Sequence, residues 1–136
     1  MTSVVQVLVD ADNVDPVRIR PVLAALEAAP MPASIVVSGR QQALDRISWP
    51  STARLIVATG WQRADLALAE AYRADEGPLI VVSGDGDFAL LAARHAGPVL
   101  IVSSAPSYRL ALPVTDPALD GPVALQAWVR AVSESR

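Results

Sequence analysis

Five short, almost uniformly apolar runs constrain the fold of this chain more than any other feature. They are VVQVLV (4–9), SIVVS (34–38), RLIVAT (54–59), PLIVVS (78–83) and PVLIVS (98–103). β-branched residues favour strands, and turn-forming residues bound each run. Because the runs lack the apolar and polar alternation of a strand with one solvated face, they predict strands that are buried on both faces. Such strands occur in parallel sheets covered by helices.

Segments with helical spacing of apolar residues separate these strands. They lie at 16–29, 41–47, 64–75, 87–96 and 122–134. The alternation predicts an α/β fold: a doubly wound, mainly parallel five-stranded sheet in a Rossmann-like three-layer sandwich. The strand order that we expect is 3-2-1-4-5.

Two details of this outline concern proline. Asp15 followed by Pro16 predicts the start of the first helix, although Pro21 suggests that the regular part of that helix begins later. Residues 104–121 are rich in Pro, Ser and Asp, which predicts an irregular connection with a short edge strand at 109–114.

Length and composition limit the classes of protein. A chain of 136 residues that is 52% hydrophobic predicts one domain, 1–136. A net charge of −3 excludes a general basic surface, so a polyanion would be held locally by metal or by a few arginines. The absence of cysteine excludes disulfides, thiolate zinc sites and cysteine nucleophiles. Without a signal peptide or a membrane span, a cytoplasmic protein with no membrane contact is expected.

Aspartates gather at the ends of two predicted strands. Asp10 and Asp12 follow the first strand, and Asp85 and Asp87 follow the fourth. In the expected order these strands are neighbours, and ligands of open parallel sheets bind at the carboxyl ends of such strands. Clustered carboxylates repel one another, so the cluster predicts a protonated member or a bound cation. Oxygen ligands suit Mg²⁺ or Mn²⁺. Any one of these aspartates alone is more simply a helix cap or turn former.

A further acid belongs to the helix predicted at 64–75. Asp65 lies in its first turn, where the helix dipole stabilises a carboxylate. Because this helix is expected to start at the carboxyl edge of the sheet, Asp65 is also a candidate ligand there. Arg63, two residues earlier, is a candidate phosphate contact. Two sets of residues at helical spacing are candidates for the buried face: Leu66, Ala69 and Tyr72, or Leu68, Ala71 and Ala74.

Three of these motifs together resemble the NYN domain, a branch of the PIN-like metal-dependent ribonucleases. They are VDADNV (9–14), RADLALAEA (63–71) and SGDGDFALL (83–91), and the resemblance covers about residues 4–103. It implies an endoribonuclease that hydrolyses phosphodiester bonds of single-stranded RNA with Mg²⁺ or Mn²⁺. The catalytic and metal-binding acids that it implies are Asp10, Asp65, Asp85 and Asp87, with Asn13 and Ser83 as polar supports. One departure is Gln62-Arg63, where relatives often have lysine, because arginine differs from lysine in donor geometry.

Other polar residues border the predicted site. Arg40, Arg63 and Arg109 lie in predicted loops, and we take Arg40 and Arg63, with Asn13 and Ser83, as candidate substrate contacts. Asp12 stays unassigned, because neighbours in an extended segment point to opposite sides. For His95, the only histidine, a capping or surface role is expected, and for Phe88, the only phenylalanine, a core position.

Two other functions stay open. Asp10-Ala11-Asp12 also resembles the nucleophile and acid pair of haloacid-dehalogenase-like phosphatases, although the chain lacks the lysine that usually neutralises the phosphoaspartate there. A non-catalytic RNA-binding protein on the same fold is the third reading. RNA is the expected partner in two of the three, and a homodimer is left open.

Overall fold

The computed structural model describes residues 4–29, 31–59, 63–83, 86–103 and 113–134. Its strands are β1 (Val5–Asp10), β2 (Ala33–Gly39), β3 (Arg54–Val57), β4 (Leu79–Val82), β5 (Val99–Val102) and β6 (Val114–Thr115). They form one sheet in the order β3-β2-β1-β4-β5-β6, and every neighbouring pair is parallel.

The α/β class and the order of the first five strands are therefore confirmed, whereas the number of strands is wrong. The sixth strand pairs Val114 and Thr115 with Ile101 and Val102 of β5. β6 begins at Val114, the last residue of the short edge strand expected at 109–114. Most of the edge strand expected at 109–114 lies outside the described residues.

The helices are α1 (Pro16–Ala28), α2 (Gln41–Asp45), α3 (Arg63–Ala71), α4 (Ala89–Arg94), α5 (Pro117–Asp120) and α6 (Val123–Glu134). Two 3-10 turns, Ala11–Asn13 and Gly86–Phe88, precede α1 and α4. None of the helices within the described ranges is long and apolar enough to cross a membrane.

The start of α1 confirms one expectation and corrects another. Asp15 is its N-cap and accepts a hydrogen bond from the backbone nitrogen of Arg18 at 3.2 Å, with Pro16 in the first turn. The regular helix does not begin after Pro21 but includes it. Ile19 and Val22, on either side of Pro21, are fully buried, and their packing holds this turn on the sheet.

Alternate residues of the strands belong to two separate hydrophobic cores, one on each face of the sheet. On one face, residues such as Val7, Val9 and Val37 pack with α1, α2 and α6. On the other face, Leu8 and Val81 pack with α3 and α4. The result is a three-layer sandwich, as expected, and the strands inside the sheet are apolar on both faces because both faces are covered. The expected burial on both faces is wrong for the edge strand β3, where Leu55 and Val57 are 47% and 49% exposed.

Two further expectations concern the core beneath α3 and α4: which side of α3 is buried, and whether Phe88 is a core residue. Leu68 is fully buried and Ala71 packs against the same core, whereas Leu66 is 60% exposed, so the set that contains Leu68 faces the sheet as far as the end of α3. Ala74, the third member of that set, is exposed and lies beyond α3. Phe88 is 2% exposed and belongs to the same core, which confirms its core position. Burial of a side chain of this size contributes about 1.5–3 kcal/mol.

Polar side chains at the amino edge of the sheet bond to the backbone of nearby loops. Gln6 of β1 donates to the carbonyl of Arg73 at 3.0 Å and accepts from its backbone nitrogen at 2.8 Å. The His95 Nε2 lies 2.6 Å from the carbonyl oxygen of Gly77, and its Nδ1 lies 2.7 Å from the hydroxyl of Tyr72. Because a carbonyl only accepts, Nε2 carries the proton, and in the neutral ring Nδ1 accepts from Tyr72.

The structure corrects one half of the expectation for His95. His95 is the C-cap residue of α4, so a capping position is confirmed, but it is 8% exposed and does not lie on the surface. Its two ring contacts, with Tyr72 after α3 and Gly77 before β4, explain the burial. Gly97 makes the closest approach in this region, because a Cβ there would collide with the carbonyl oxygens of Gly77 and Glu76.

Candidate functional site

Asp10 ends β1 at the point where the strand order reverses. From β1 the sheet continues through β2 to β3 on one side and through β4 to β5 on the other. Asp10 is 1% exposed, and it alternates with Leu8, so its side chain lies on the face that α3 and α4 cover. This is the crevice in which open parallel sheets bind their ligands.

Two polar side chains hold one oxygen of the Asp10 carboxylate. Its Oδ2 accepts a hydrogen bond from Asn13 Nδ2 at 2.7 Å and one from Ser83 Oγ at 3.3 Å. Asn13 is in the 3-10 turn that follows β1, and Ser83 directly follows β4. A buried carboxylate is costly unless it is hydrogen-bonded, and the bond from Asn13 has the short length of a charge-assisted bond. The structure thus brings Asn13 and Ser83 together with Asp10.

Asp65 and Asp87 face each other across a cavity of about 420 Å³ between α3 and α4. Asp65 is half-buried in the first turn of α3, and Asp87 is exposed in the 3-10 turn before α4. Both turns follow the carboxyl ends of strands. The remaining lining of this cavity is mostly apolar.

Several sequence-predicted residues fall outside the described parts of the chain. Asp85 and Arg109 lie there entirely, and Arg63 begins α3 but its side chain is not described. In the five described ranges, no group of three His, Cys, Asp or Glu side chains is close enough to hold a metal ion. The metal cluster centred on Asp10 and Asp85 therefore stays a prediction.

Asp12 has a role that the extended-chain argument missed. Residues 11–13 form a 3-10 turn, and the exposed Asp12 accepts a hydrogen bond at Oδ1 from the backbone nitrogen of Arg40 at 3.0 Å. The close packing of Gly39 supports this bond, because a Cβ at Gly39 would lie 2.9 Å from the Cβ of Ala11. Asp12 thus ties the end of β1 to the start of α2.

Arg40 and Arg46 border the site on the other side. Their side chains line a cavity of about 320 Å³ together with Asp12. Arg46 Nη2 lies 3.4 Å from the carbonyl oxygen of Ala11 and 3.5 Å from that of Val14, so it sits against the turn that carries Asp12. No local sequence pattern predicts a role for Arg46, because its contacts are with backbone more than 30 residues away.

Two ion pairs made by Arg18, which the sequence analysis did not predict, fix the start of α1. Arg18 bonds to the carboxylate of Asp15 and donates from Nε to Asp116 Oδ1 at 3.1 Å. Asp116 is 7% exposed and follows β6. Asp116-Pro117 repeats the helix-start signal of Asp15-Pro16, and this signal was available in the sequence.

The pKa of one described group near the cavity departs clearly from its ordinary value. Burial, and secondarily the negative charge of Asp75, raise the pKa of the Tyr72 hydroxyl. Tyr72 therefore stays protonated at neutral pH and can donate to His95.

Comparisons with protein-family models, with curated proteins and with solved structures find no matching family, protein or structure.

Proposed function

We propose that this chain is a metal-dependent endoribonuclease that hydrolyses phosphodiester bonds of single-stranded RNA. The observation that carries the proposal is Asp10, a buried carboxylate at the switch point of the sheet that Asn13 and Ser83 orient. Asp65, in the first turn of α3, and Asp87, in the 3-10 turn before α4, supply further carboxylates on the elements that cover this face. The resemblance of three motifs to the NYN domain supports the same reaction.

The chemistry of the donor set fits Mg²⁺ or Mn²⁺. Asp10, Asp65, Asp85 and Asp87 would hold the ion, and every candidate ligand is a carboxylate oxygen. Such hard ligands suit Mg²⁺ and Mn²⁺ better than soft metals. A bound ion of this kind lowers the pKa of a water molecule and stabilises negative charge on phosphate oxygens.

The chain's own residues orient the site and hold the substrate. Asn13 and Ser83 donate to the same oxygen of Asp10, which restricts rotation of the carboxylate. Arg40 and Arg63 are the candidate contacts for phosphates on either side of the cleaved bond. With a net charge of −3, the protein has no other general attraction for RNA, so local arginines are needed.

Cleavage of end-labelled single-stranded RNA tests this function. Wild-type protein should cleave with Mn²⁺ or Mg²⁺ and not with EDTA. Asp10→Asn and Asp85→Asn should each lower the rate at least about a hundredfold, since even the residues that orient metal ligands are worth about 10- to 100-fold. Asp75→Asn is the matched control, because Asp75 binds the backbone of Gly77 at the amino edge.

Equal cleavage by wild type and both site variants would identify a contaminating nuclease and contradict the proposal. Turnover of a phosphomonoester with an acyl-phosphate trapped on Asp10, and no RNA cleavage, would instead identify a phosphatase. RNA binding with no cleavage under any metal condition would identify a non-catalytic RNA-binding protein.

A further inference from the structure

The groove between α3 and α4 starts at the candidate site and continues away from it. Asp65 and Asp87 lie at one end of this cavity of about 420 Å³, and Tyr72 and Arg94, near the ends of the two helices, lie at the other. From Asp87 to Arg94 the helical rise gives roughly 10 Å of groove. Its size falls in the range of about 300–1,000 Å³ that is typical of small-molecule sites.

The groove is apolar although it is open to solvent. The core beneath it is already filled by Leu68 and Phe88, which are 0% and 2% exposed. Leu90 nevertheless lines the groove with 61% of its surface exposed, and Ala69 lines it from the opposite wall. An apolar cleft with a few polar groups at its ends binds a flat apolar body with polar edges.

We propose that this groove binds a nucleobase of the single-stranded RNA, next to the phosphate that is cleaved. The proposal rests on the proposed function, since the acids at the mouth of the groove are the candidate metal ligands. Bases stack on apolar and aromatic surfaces through their faces, and this stacking tolerates any sequence.

The charges at the two ends favour a nucleotide over an apolar protein segment. An apolar helix laid along the groove would remove water from carboxylates at one end and from the Arg94 guanidinium at the other. This removal is costly because the apolar helix offers no polar group in place of the water. A nucleotide instead leaves the carboxylates to the metal ion at the cleaved phosphate and offers a neighbouring phosphate to arginine. The apolar middle of the groove then contacts the face of the base.

Binding of adenosine and of ribose to metal-free protein tests the groove separately from catalysis. Titrations followed by ¹⁵N NMR should give an affinity for adenosine about tenfold or more above that for ribose. The resonances that shift should include those of Ala69 and Leu91. Ala69→Phe fills the groove and should remove the preference.

Ala93→Phe is the matched control. Ala93 is an exposed alanine of α4 that does not line the groove, so this variant should keep the preference for adenosine. Both substitutions are at exposed positions, and the NMR spectra check the fold. In RNA cleavage, Ala69→Phe should raise KM about tenfold and Ala93→Phe should leave it unchanged.

Equal affinities for adenosine and ribose, or an adenosine affinity that Ala69→Phe does not change, would overturn the groove proposal even if RNA is cleaved. Conversely, adenosine bound at Ala69 and Leu91 by a protein that cleaves no RNA would support the groove and contradict the nuclease.

Discussion

β1 has a buried polar side chain at each end, Gln6 at the amino edge of the sheet and Asp10 at the carboxyl edge, and the two are held in different ways. At the amino edge, Gln6 and His95 bond to backbone groups of Arg73 and Gly77. At the carboxyl edge, Asp10 bonds to the side chains of Asn13 and Ser83. Bonds to backbone fix the path of a loop, whereas bonds between side chains fix the orientation of a functional group. Substitutions at the amino edge should therefore cost stability, and substitutions at the carboxyl edge should cost function.

The largest loss of stability is expected from Gly97→Ala at the amino edge. The added Cβ collides with backbone carbonyl oxygens of Glu76 and Gly77, and backbone cannot move aside as a side chain can. We expect the free energy of unfolding to fall by about 3 kcal/mol, at the upper end of overpacking effects. Urea unfolding measures this change.

Cleavage of RNA per folded molecule should stay at the wild-type level in Gly97→Ala at low temperature, because the substitution is at the edge opposite to Asp10. Ala96→Ser, a change at the exposed neighbouring residue, should leave both quantities unchanged. A Gly97→Ala protein that folds stably but loses cleavage would contradict the expectation that substitutions at the amino edge affect stability and not function.

At the carboxyl edge, Asp10→Asn should remove stabilisation by metal and not stability itself. Wild-type protein should gain about 2.7 kcal/mol at a Mn²⁺ concentration 100 times its Kd, because the ion binds only the folded state. Asparagine keeps an oxygen that accepts from Asn13 or Ser83 and removes a buried charge. Thermal melts with EDTA and with Mn²⁺ compare the two proteins.

Asp10→Asn should thus match or exceed the wild-type Tm in EDTA and show no rise with Mn²⁺. A variant that is clearly destabilised in EDTA would mean that Asp10 serves mainly as a structural hydrogen-bond acceptor. The carboxyl edge would then resemble the amino edge.

The smallest effect concerns the pH dependence at Tyr72. Burial and Asp75 raise its pKa above the ordinary value of 10.0, so the folded state binds the hydroxyl proton more tightly than the unfolded chain does. The resulting stabilisation is fully present below pH 10 and is lost as pH rises through the folded pKa. In Tyr72→Phe, the free energy of unfolding should fall less steeply with rising pH in this range. At neutral pH it should cost about 1 kcal/mol for the hydrogen bond to His95.

Urea midpoints of both proteins between pH 8 and pH 11 measure this difference. Tyr108, the other tyrosine, is present in both and cancels in the comparison. Parallel pH profiles for wild type and Tyr72→Phe would contradict the assigned direction of the Tyr72 pKa.

The first five strands could be predicted to within one or two residues because the sheet between its edges is covered on both faces. These strands then consist largely of apolar residues, many of them β-branched, and this signal lies within a single short segment. The helix predicted at 64–75 was too long, and the reason is a contact with a residue far away in the sequence. The backbone of Arg73 bonds to Gln6 of β1 in place of a continued helix, and α3 ends at Ala71.

The candidate site divides in the same way. Asp10 and Asn13 are three residues apart. Ser83 ends the fourth predicted strand, which the expected strand order places beside the first, so the proximity of all three residues could be predicted from the sequence. The bond between Asp12 and the backbone of Arg40 did not, because it depends on the close packing of Gly39 against Ala11. Such contacts join residues with no shared local pattern.

The position of β1 in the sheet has a consequence for how the chain folds. β1 is central, and its second neighbour, β4, joins Gln6 to Leu79. Until β4 is synthesised, a nascent sheet of β1, β2 and β3 leaves one side of β1 as an open edge, which is a template for intermolecular pairing. Contacts this distant in sequence form slowly. During synthesis, the residues that end in Asp10 are thus exposed to aggregation longest, and chaperone binding to nascent chains should be strongest before β4 emerges.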